Sequence, residues 1–574
     1  MQFQHTLLGK TLSSAFPYGH KGKVTFKSYN QDQEFLLPKR LDDFIEQGHI
    51  ARLISKVIDG MDLSAIFSTY KGGGTSAYHP RMLLKSWILG FVNRIYSSRQ
   101  LAKQLRENLG FIWISGDQRP DFRTLSNFRL RLKDDIKKIF KEIVLYAVAQ
   151  GIIQAKDVFV DHSKFTANAN KHKVVWKKRV NTQLSKIDVE LEELFSYIDQ
   201  IDEEEDKIFA GKDLPEQERD GFDPEQIRKI IDQINDRVKS KEVTREQGRD
   251  DRKKVRRVRE LHKRKEKYEQ QKKILAGRNS YSSTDHDAVA MMMKDKLTIR
   301  PAYNEGIAVE NGIVLDFIIS DCSGDSVSFI PLMNGAIDNL GKTPENVCAD
   351  AAYGNEEDAL FLEKRGMNDF LKYNTYHKEK SKKWREERFR LVDFSYDKQA
   401  DEFTCKNHIR LTFEKEEQRK TRTGFTQTLK TYRAQEGHCL QCPFRKKCTT
   451  AQTRTLRVNW QAERLKQRAK QNLDSPKGKE LRKRRGHEVE SVFGDQKLNK
   501  TKRRYILRGL EKVKIESGLY YIAHNLRKIK TMTAKLRARG SLPATKERNS
   551  LLQMSESGGF VVFLRRAFFQ GFTF

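Results

Sequence analysis

Two acids in this chain close short apolar runs. Asp161 ends Val158-Phe159-Val160-Asp161, and Asp350 ends Val347-Cys348-Ala349-Asp350. Such runs suit buried strands. In open α/β sheets, sites are built at the carboxyl ends of strands, and two carboxylates there can hold a hard divalent ion through oxygen. Phosphodiester chemistry uses two metals about 3.5–4 Å apart, held by carboxylates, so a third acid is needed. Ser475-Pro476 opens a helix as N-cap and first residue. That helix runs past Lys497 and carries Glu488 and Glu490. At about 100° per residue, Gly486, Glu490, Gly494 and Lys497 share one face. Glycine in a helix costs about 1 kcal/mol against alanine, so two on one face suggest close approach by a backbone or a ligand. Glu490 would then reach a metal while Lys497 reaches a phosphate. The plainer reading is a solvated Glu–Lys face with incidental glycines.

A second cluster is built from thiols. Cys405, Cys439, Cys442 and Cys448 are spaced C-x₃₃-C-x₂-C-x₅-C. The C-x₂-C knuckle is a usual half of a structural zinc site. His408 or His438 can replace a cysteine, and reduced thiols without metal are the alternative. Cys322 and Cys348 read as small apolar strand residues.

The chain around these residues has 574 residues, with 110 Lys+Arg against 77 Asp+Glu and a formal charge of +33. Its length suggests three to four units of about 150 residues each. The charge points to a polyanion as partner, with a basic membrane-surface protein as the rival. No run of about 20 apolar residues is present, so no spanning helix is expected. The start, Met1-Gln2-Phe3-Gln4-His5, lacks a signal-peptide pattern. Six cysteines are too few for a disulfide framework, and the chain reads as cytoplasmic.

Other elements must position the acids. The first 150 residues read as helical. Leu83, Leu84, Trp87, Ile88, Phe91, Val92 and Ile95 recur at helical spacing after His79-Pro80. A short helix from Ser98 to Leu109 ends at Gly110, and a third runs from Asp121 to about Gln150. Arg123, Arg129, Arg131 and Lys133 lie on its first half. Two short helices, a turn and a basic helix can form a helix-turn-helix-like DNA reader; a solvated basic face on an ordinary bundle is the equal alternative. Residues 173–276 read as a charged helical hairpin, with a stripe of Leu184, Ile187, Leu191, Leu194, Ile198 and Ile201. Its second arm follows Pro224 and carries the basic run Arg252 to Arg257. Gly306 to Glu310 and Ile313 to Ile319 flank the hairpin turn Asn311-Gly312. Asn355 caps a helix that runs to Arg365 and stops at Gly366. Residues 370–455 read as irregular and basic.

Four stretches together resemble bacterial insertion-sequence transposases of the DDE type. They are Arg119 to Arg129, Asp161 to Lys171, Ala349-Asp350-Ala351-Ala352-Tyr353-Gly354, and Glu488 to Gly494 with Arg503-Arg504-Tyr505 and Leu507-Arg508-Gly509. The resemblance implies an RNase H-like core in which Asp161, Asp350 and Glu490 bind Mg²⁺ or Mn²⁺. It also implies cleavage and strand transfer at the terminal inverted repeats of the element. Double-stranded DNA, as terminal repeats and target, is the implied partner, and pairing of two ends implies a homodimer. Related transposases carry a Tyr-Arg-Glu-Lys signature. Aligned on Glu490, its lysine falls on Lys497, its arginine on Gly486 and its tyrosine on Lys483; Arg485 is the neighbour that can stand in. Aligned on the rival Glu488, Arg484 fits but the lysine becomes Asp495. Lys497, Arg485, Arg123, Arg129, Arg503 and Arg504 are the implied DNA-binding residues. The second motif reads Ala-Ala-Tyr-Gly where Ala-Gly-Tyr-Gly is usual, which matters only if Ala352 needs a positive φ. A cysteine-rich insert before the third acid is also common in the group, in line with structural Zn²⁺ at Cys405, Cys439, Cys442 and Cys448.

The expected architecture is α/β. A helical N-terminal DNA-binding domain (1–150) precedes an RNase H-like core in three parts (151–172, 281–369 and 471–535). A helical hairpin (173–280) and a Cys-rich segment (370–470) are inserted, and a tail follows (536–574). Asp285 and Asp287 read as decoys. Phe560-Val561-Val562-Phe563-Leu564 with Arg565-Arg566 has an amphipathic look, but the tail reads as an extension without a membrane role. A non-catalytic DNA-binding protein derived from a transposase is the alternative to the enzyme.

Overall fold

Asp157–Thr166 forms strand β1, and its first four residues are fully packed. Burial on both faces explains why this stretch reads as a continuous apolar run. In the computed structural model, residues 40–70, 76–208, 232, 247–386, 389–500 and 502–539 are described. Pro224 and the tail from Gly558 to Phe574 lie outside them.

Before β1 come α1 (Ile50–Asp59), α2 (Ser64–Ser68), α3 (Pro80–Val92), α4 (Ser98–Glu107), α5 (Leu109–Ser115), α6 (Phe122–Arg131) and α7 (Ile136–Ala149). Gly110 does not end a helix as expected. Asn108 turns the chain and accepts a hydrogen bond from the Gly110 N–H, starting α5. The expected single helix from Asp121 is two helices. Asp121 caps α6 by accepting from the Thr124 N–H, and the chain breaks between Arg131 and Ile136.

After β1, β2 (Val174–Trp176) leads into the long α8 (Lys177–Ile208), and α9 (Gln247–Leu275) returns to β3 (Ser280–Ser282), which pairs with β2. Ile187 and Leu191 of α8 bury against Val258 and Leu261 of α9, with Leu194 beside them. Leu184 joins a second cluster at the base with Leu275 and Tyr281. Arg257 in the basic run pairs with Glu190 on the other arm.

The main sheet adds β4 (Val289–Met292), β5 (Ile299–Glu310), β6 (Ile313–Ser320), β7 (Asn346–Ala349) and β8 (Asn368–Leu371). β5 lies antiparallel to β1 on one side, while β7 and then β8 lie parallel to it on the other. β4 and β6 share the outer edge of β5. Asn311 and Gly312 make the β5–β6 turn with φ of 54° and 72°, the left-handed pair that a tight hairpin turn demands. α10 (Phe329–Leu340) links β6 to β7, and α11 (Glu356–Lys364) links β7 to β8. Asn355 caps α11 by accepting from the Asp358 N–H.

Residues 370–455, expected to be irregular, contain an antiparallel sheet instead. Its strands are β9 (Ser395–Asp397), β10 (Glu402–Thr404), β11 (Arg410–Lys420), β12 (Thr426–Ala434) and β13 (Thr455–Val458). Only Leu411 of β11 is buried, so the strand has almost no apolar alternation to read. The small core holds Phe403, Leu411, Tyr432, Leu456, Val458 and Cys439.

α12 (Trp460–Asp474) packs on β8. Ser475 then caps α13 (Pro476–Arg485). That helix continues through a wide π-type turn (Gly486–Glu490), a short α-helical piece (Ser491–Gly494) and a second π-type turn (Asp495–Asn499). The last helix, α14 (Leu510–Ala538), packs on α3, α7 and β6. One continuous apolar core therefore joins the N-terminal helices, the sheet and α14. Asp285 and Asp287 are structural: they accept from the Gly509 and Leu510 N–H groups at the start of α14. Among the described residues, no helix is long and apolar enough to cross a membrane.

Candidate active site

Parallel pairing of β1 with β7 sets Val160 opposite Ala349. The next residue after each is an acid, so Asp161 and Asp350 stand on neighbouring strands, about 4.8 Å apart, at one level; Asp350 follows the end of β7 as expected, whereas Asp161 lies mid-strand because β1 continues to Thr166. Lys372 follows β8 at the same edge. Its Nζ donates to Asp350 Oδ1 at 2.9 Å.

α13 runs alongside β1. Arg484 Nη1 lies 2.6 Å from Asp157 Oδ2 at the start of the strand. Arg485 Nη1 lies 3.5 Å from Asp161 Oδ2, and its Nη2 lies 3.2 Å from Asp350 Oδ2. Lys497 Nζ donates to Ser163 Oγ at 2.6 Å and to Lys164 O at 3.1 Å. The lysine stands 4.4 Å over the Phe165 ring. The segment that carries Glu490 thus lies between two anchor points, at Asp161 and at Ser163.

The two carboxylates differ electrostatically. Burial pushes Asp161 up, opposed by the charge of Arg485, the His162 N–H and the charge of Lys294. Burial also pushes Asp350 up, but the Lys372 hydrogen bond and the charges of Arg485 and Lys372 outweigh it and hold the carboxyl below its ordinary value. Burial lowers Lys497 to about 8.

The expected helical face is only partly present. Glu490 is exposed. A Cβ on Gly486 would meet only the Glu490 carboxylate, at 4.0 Å, and one on Gly494 would meet nothing. The glycines therefore admit no backbone of this chain. Lys497 is turned inward onto β1, and the two wide turns account for this because they break the 100° register. Glu488 is committed elsewhere: its Oε2 accepts from the Gly312 N–H at 2.6 Å. Gly354 is the glycine of the second motif that the backbone requires. A Cβ there would stand 2.0 Å from the Lys372 carbonyl oxygen. Ala352 has no positive φ, so its departure from the usual pattern is harmless.

The other basic residues fall into two groups. Arg123, Arg503 and Arg504 are exposed. Arg129, expected on a DNA-facing surface, is buried instead. It belongs to the apolar face of α6 with Leu125 and Phe128. Its guanidinium lies 4.4 Å over Trp87 and donates to the Tyr96 carbonyl oxygen.

Sequence reasoning missed three supporting groups. Lys372 follows an apolar strand run, Asp369-Phe370-Leu371, just as the acids do, and that signal was available. His162 Nδ1 lies 2.5 Å from the Tyr353 hydroxyl and so ties the residue after the first acid to the second motif. Asn168 Oδ1 accepts from Arg504, its carbonyl oxygen accepts from Arg508, and its amide donates to Ile506 O. Nothing local announced either of these contacts.

A family model described as "Transposase domain (DUF772)" matches residues 39–131, and one described as "Transposase DDE domain" matches residues 404–530. Both matches support an insertion-sequence DDE transposase. Comparison with curated proteins and with solved structures gave no match. The matched stretches carry Arg123, the cysteines Cys405, Cys439, Cys442 and Cys448, and the helix with Glu490 and Lys497. Asp161 and Asp350 lie between them.

Among the described residues, no three His, Cys, Asp or Glu side chains converge as a metal-holding group. The donor chemistry at Asp161 and Asp350 nevertheless suits a cation. Both are hard-oxygen ligands that face the Arg485 guanidinium, and Asp350 also holds Lys372, so a bound cation would have to displace these charges. In the small sheet, Cys439 is buried, with Cys405 and Cys448 packed against its cluster. Burial raises the Cys448 thiol, and the charges of Cys405, Cys439 and Cys442 raise it further. The four sulfurs are therefore neighbours, although they are not gathered at ligand distance. Cys348 is buried in β7 as expected, while Cys322 lies in the turn after β6 and not in a strand.

Proposed function

We propose that this transposase cuts and joins DNA at the terminal inverted repeats of its element, through an RNase H-like core in which Asp161, Asp350 and Glu490 are the metal-binding acids. The observation that carries this reading is the register of β1 and β7, which delivers Asp161 and Asp350 side by side. The order β6-β5-β1-β7-β8, with only β5 antiparallel to β1 beside two parallel strands, supports the core. Lys372 orients Asp350. Glu490, exposed beside the open space at Gly486 and Gly494, completes the site when DNA and ions are present. Arg485 leaves the carboxylates to meet the phosphate. When bound, Mg²⁺ or Mn²⁺ supplies activation of water or a 3′-OH and stabilises the leaving oxygen of an in-line displacement. Arg123, Arg503 and Arg504 hold double-stranded DNA, and two copies pair the two ends as a homodimer in the cytoplasm.

The second reading, a DNA-binding protein without catalysis, draws on the ion pairs of Arg485 with both acids and on the absence of a converged triad among the described residues. Cleavage of terminal-repeat DNA in Mg²⁺ separates the two. Asp161→Asn, Asp350→Asn and Glu490→Gln each abolish nicking and keep DNA binding, whereas Glu488→Gln still nicks. A wild type that binds these ends but never nicks them establishes the second reading.

A further inference from the structure

We propose that a basic groove beyond the carboxyl end of β1 grips the phosphates of duplex DNA about five base pairs from the cut. The inference rests on the reading of the chain as a DNA-cutting enzyme. The groove encloses about 680 Å³, and Lys171, Lys173, Arg300, Arg503, Arg504 and Arg508 line it, with no Asp or Glu among the lining residues. Among the described residues, none of these six cations forms an ion pair with a carboxylate. Other basic residues are matched by acids, as Arg464 and Arg468 are by Glu363. Six unmatched cations around one concavity repel one another, and a polyanion relieves that repulsion.

The groove is also built in advance. Asn168 takes hydrogen bonds from Arg504 through its side chain and from Arg508 through its carbonyl oxygen. Arg503 Nε donates to Lys497 O. The loop carrying these arginines is tied down by Asp285 and Asp287 at Gly509 and Leu510, and Tyr505 N donates to Thr166 O. The guanidinium groups are therefore positioned before any ligand arrives, which cuts the ordering cost of binding.

Strand geometry sets the location. Thr166, which lines the groove, is five residues beyond Asp161 on β1, or about 16 Å at about 3.3 Å per residue. Duplex DNA advances about 3.4 Å per base pair, so this span covers about five base pairs. Six cations fit a backbone better than a single small anion.

The test uses the full chain and a fluorescent 30-base-pair duplex of arbitrary sequence, because phosphate contacts do not read sequence. The triple variant Lys171→Ala, Lys173→Ala, Arg300→Ala removes three exposed side chains, and its melting temperature is compared with wild type. The slope of log K against log salt should shrink by about 0.9 per lost phosphate contact, or about 2.7. The triple Lys171→Arg, Lys173→Arg, Arg300→Lys variant should restore it. On a separate terminal-repeat duplex, phosphate ethylation interference should mark positions about five base pairs from the nick. An unchanged slope in a folded variant overturns the groove, even if wild type nicks normally. Loss of pyrophosphate binding with an unchanged duplex slope also overturns it, in favour of a small-anion site. Interference confined to the nick itself overturns the placement. If the slope falls but wild type never nicks, the groove stands and the catalytic reading falls.

Discussion

Arg485 and Asp350 form an ion pair at 3.2 Å, and the same guanidinium reaches Asp161 at 3.5 Å. A positive side chain thus holds together two acids that would otherwise repel. It is therefore a competitor for any cation those acids bind. Arg485→Met should destabilise the metal-free protein by about 1–3 kcal/mol, because two partly buried carboxylates lose a partner. The same change should tighten Mn²⁺ binding several-fold and enlarge the rise in melting temperature that the ion produces. Calorimetric titration and thermal unfolding with and without Mn²⁺ measure both effects. Equal ion affinity in wild type and variant would show that Arg485 does not stand in the ion's place.

The second acid depends on a close backbone contact as well. Because a Cβ at Gly354 would sit 2.0 Å from the Lys372 carbonyl oxygen, Gly354→Ala must push β8's end away. Overpacking of this kind costs about 1–3 kcal/mol. Lys372 moves with that backbone, so its bond to Asp350 should weaken and cleavage should fall by more than stability alone explains. Urea midpoints and nicking rates of the variant, at temperatures where it is fully folded, decide this.

The two acids and the strands that carry them were legible in the sequence, because strands buried on both faces write continuous apolar runs such as Val158-Phe159-Val160. The helix starts at Pro80 and Ser475 and the turn at Asn311-Gly312 were legible for the same reason: each rests on local chemistry. Long-range facts were not. β11 exposes nearly all of its length, so Arg410–Lys420 carries no strand pattern. The wide turns at Gly486–Glu490 and Asp495–Asn499 have no sequence rule, so a 100° register does not give the true placement of Glu490 and Lys497. The charge of Arg129 points to a solvated face, whereas its neighbours Leu125 and Phe128 mark that face as inward.

His162 gives a pH signature. Burial holds its imidazole down at about 4, with the charge of Asp325 opposing, against about 6.5 in an unfolded chain. A histidine depressed in the folded state stays neutral there while the unfolded chain takes up a proton. Its contribution to stability is therefore complete above about pH 6.5 and is lost progressively as pH falls from 6.5 to 4, by up to about 3 kcal/mol. In His162→Gln this part of the slope should vanish, leaving only the carboxylate contribution at lower pH. Denaturation midpoints between pH 7 and 4 for the two proteins supply the comparison; parallel curves would contradict it.

The thiol cluster should bind about one zinc per chain. Cys405, Cys439, Cys442 and Cys448 are free thiols, and their mutual charge disfavours the thiolate form at Cys448. Zinc must displace those protons, so affinity should rise with pH. Cys442→Ser should lose the metal and loosen the small sheet around Tyr432 without melting the main core. Elemental analysis and hydrogen exchange across residues 395–458 test this. Protein purified without chelator that carries no zinc, and exchanges no faster after Cys442→Ser, would make the cysteines ordinary core thiols.

Arg123 and Arg129 lie on one helix and should behave oppositely. Arg123 is exposed at the start of α6, so Arg123→Ala should leave the melting temperature within a degree or two. It should weaken duplex binding and shrink the salt slope by about one contact. Arg129 is buried over Trp87 and bonds the Tyr96 carbonyl oxygen. Burial lowers its pKa and the charge of Glu516 opposes the shift, so removing it also takes a favourable charge from a buried acid. Arg129→Ala should therefore cost about 1–3 kcal/mol and leave the salt slope of the remaining folded protein unchanged. A shallower slope in Arg129→Ala, at full stability, would place that guanidinium on DNA and reverse the assignment of the α6 face.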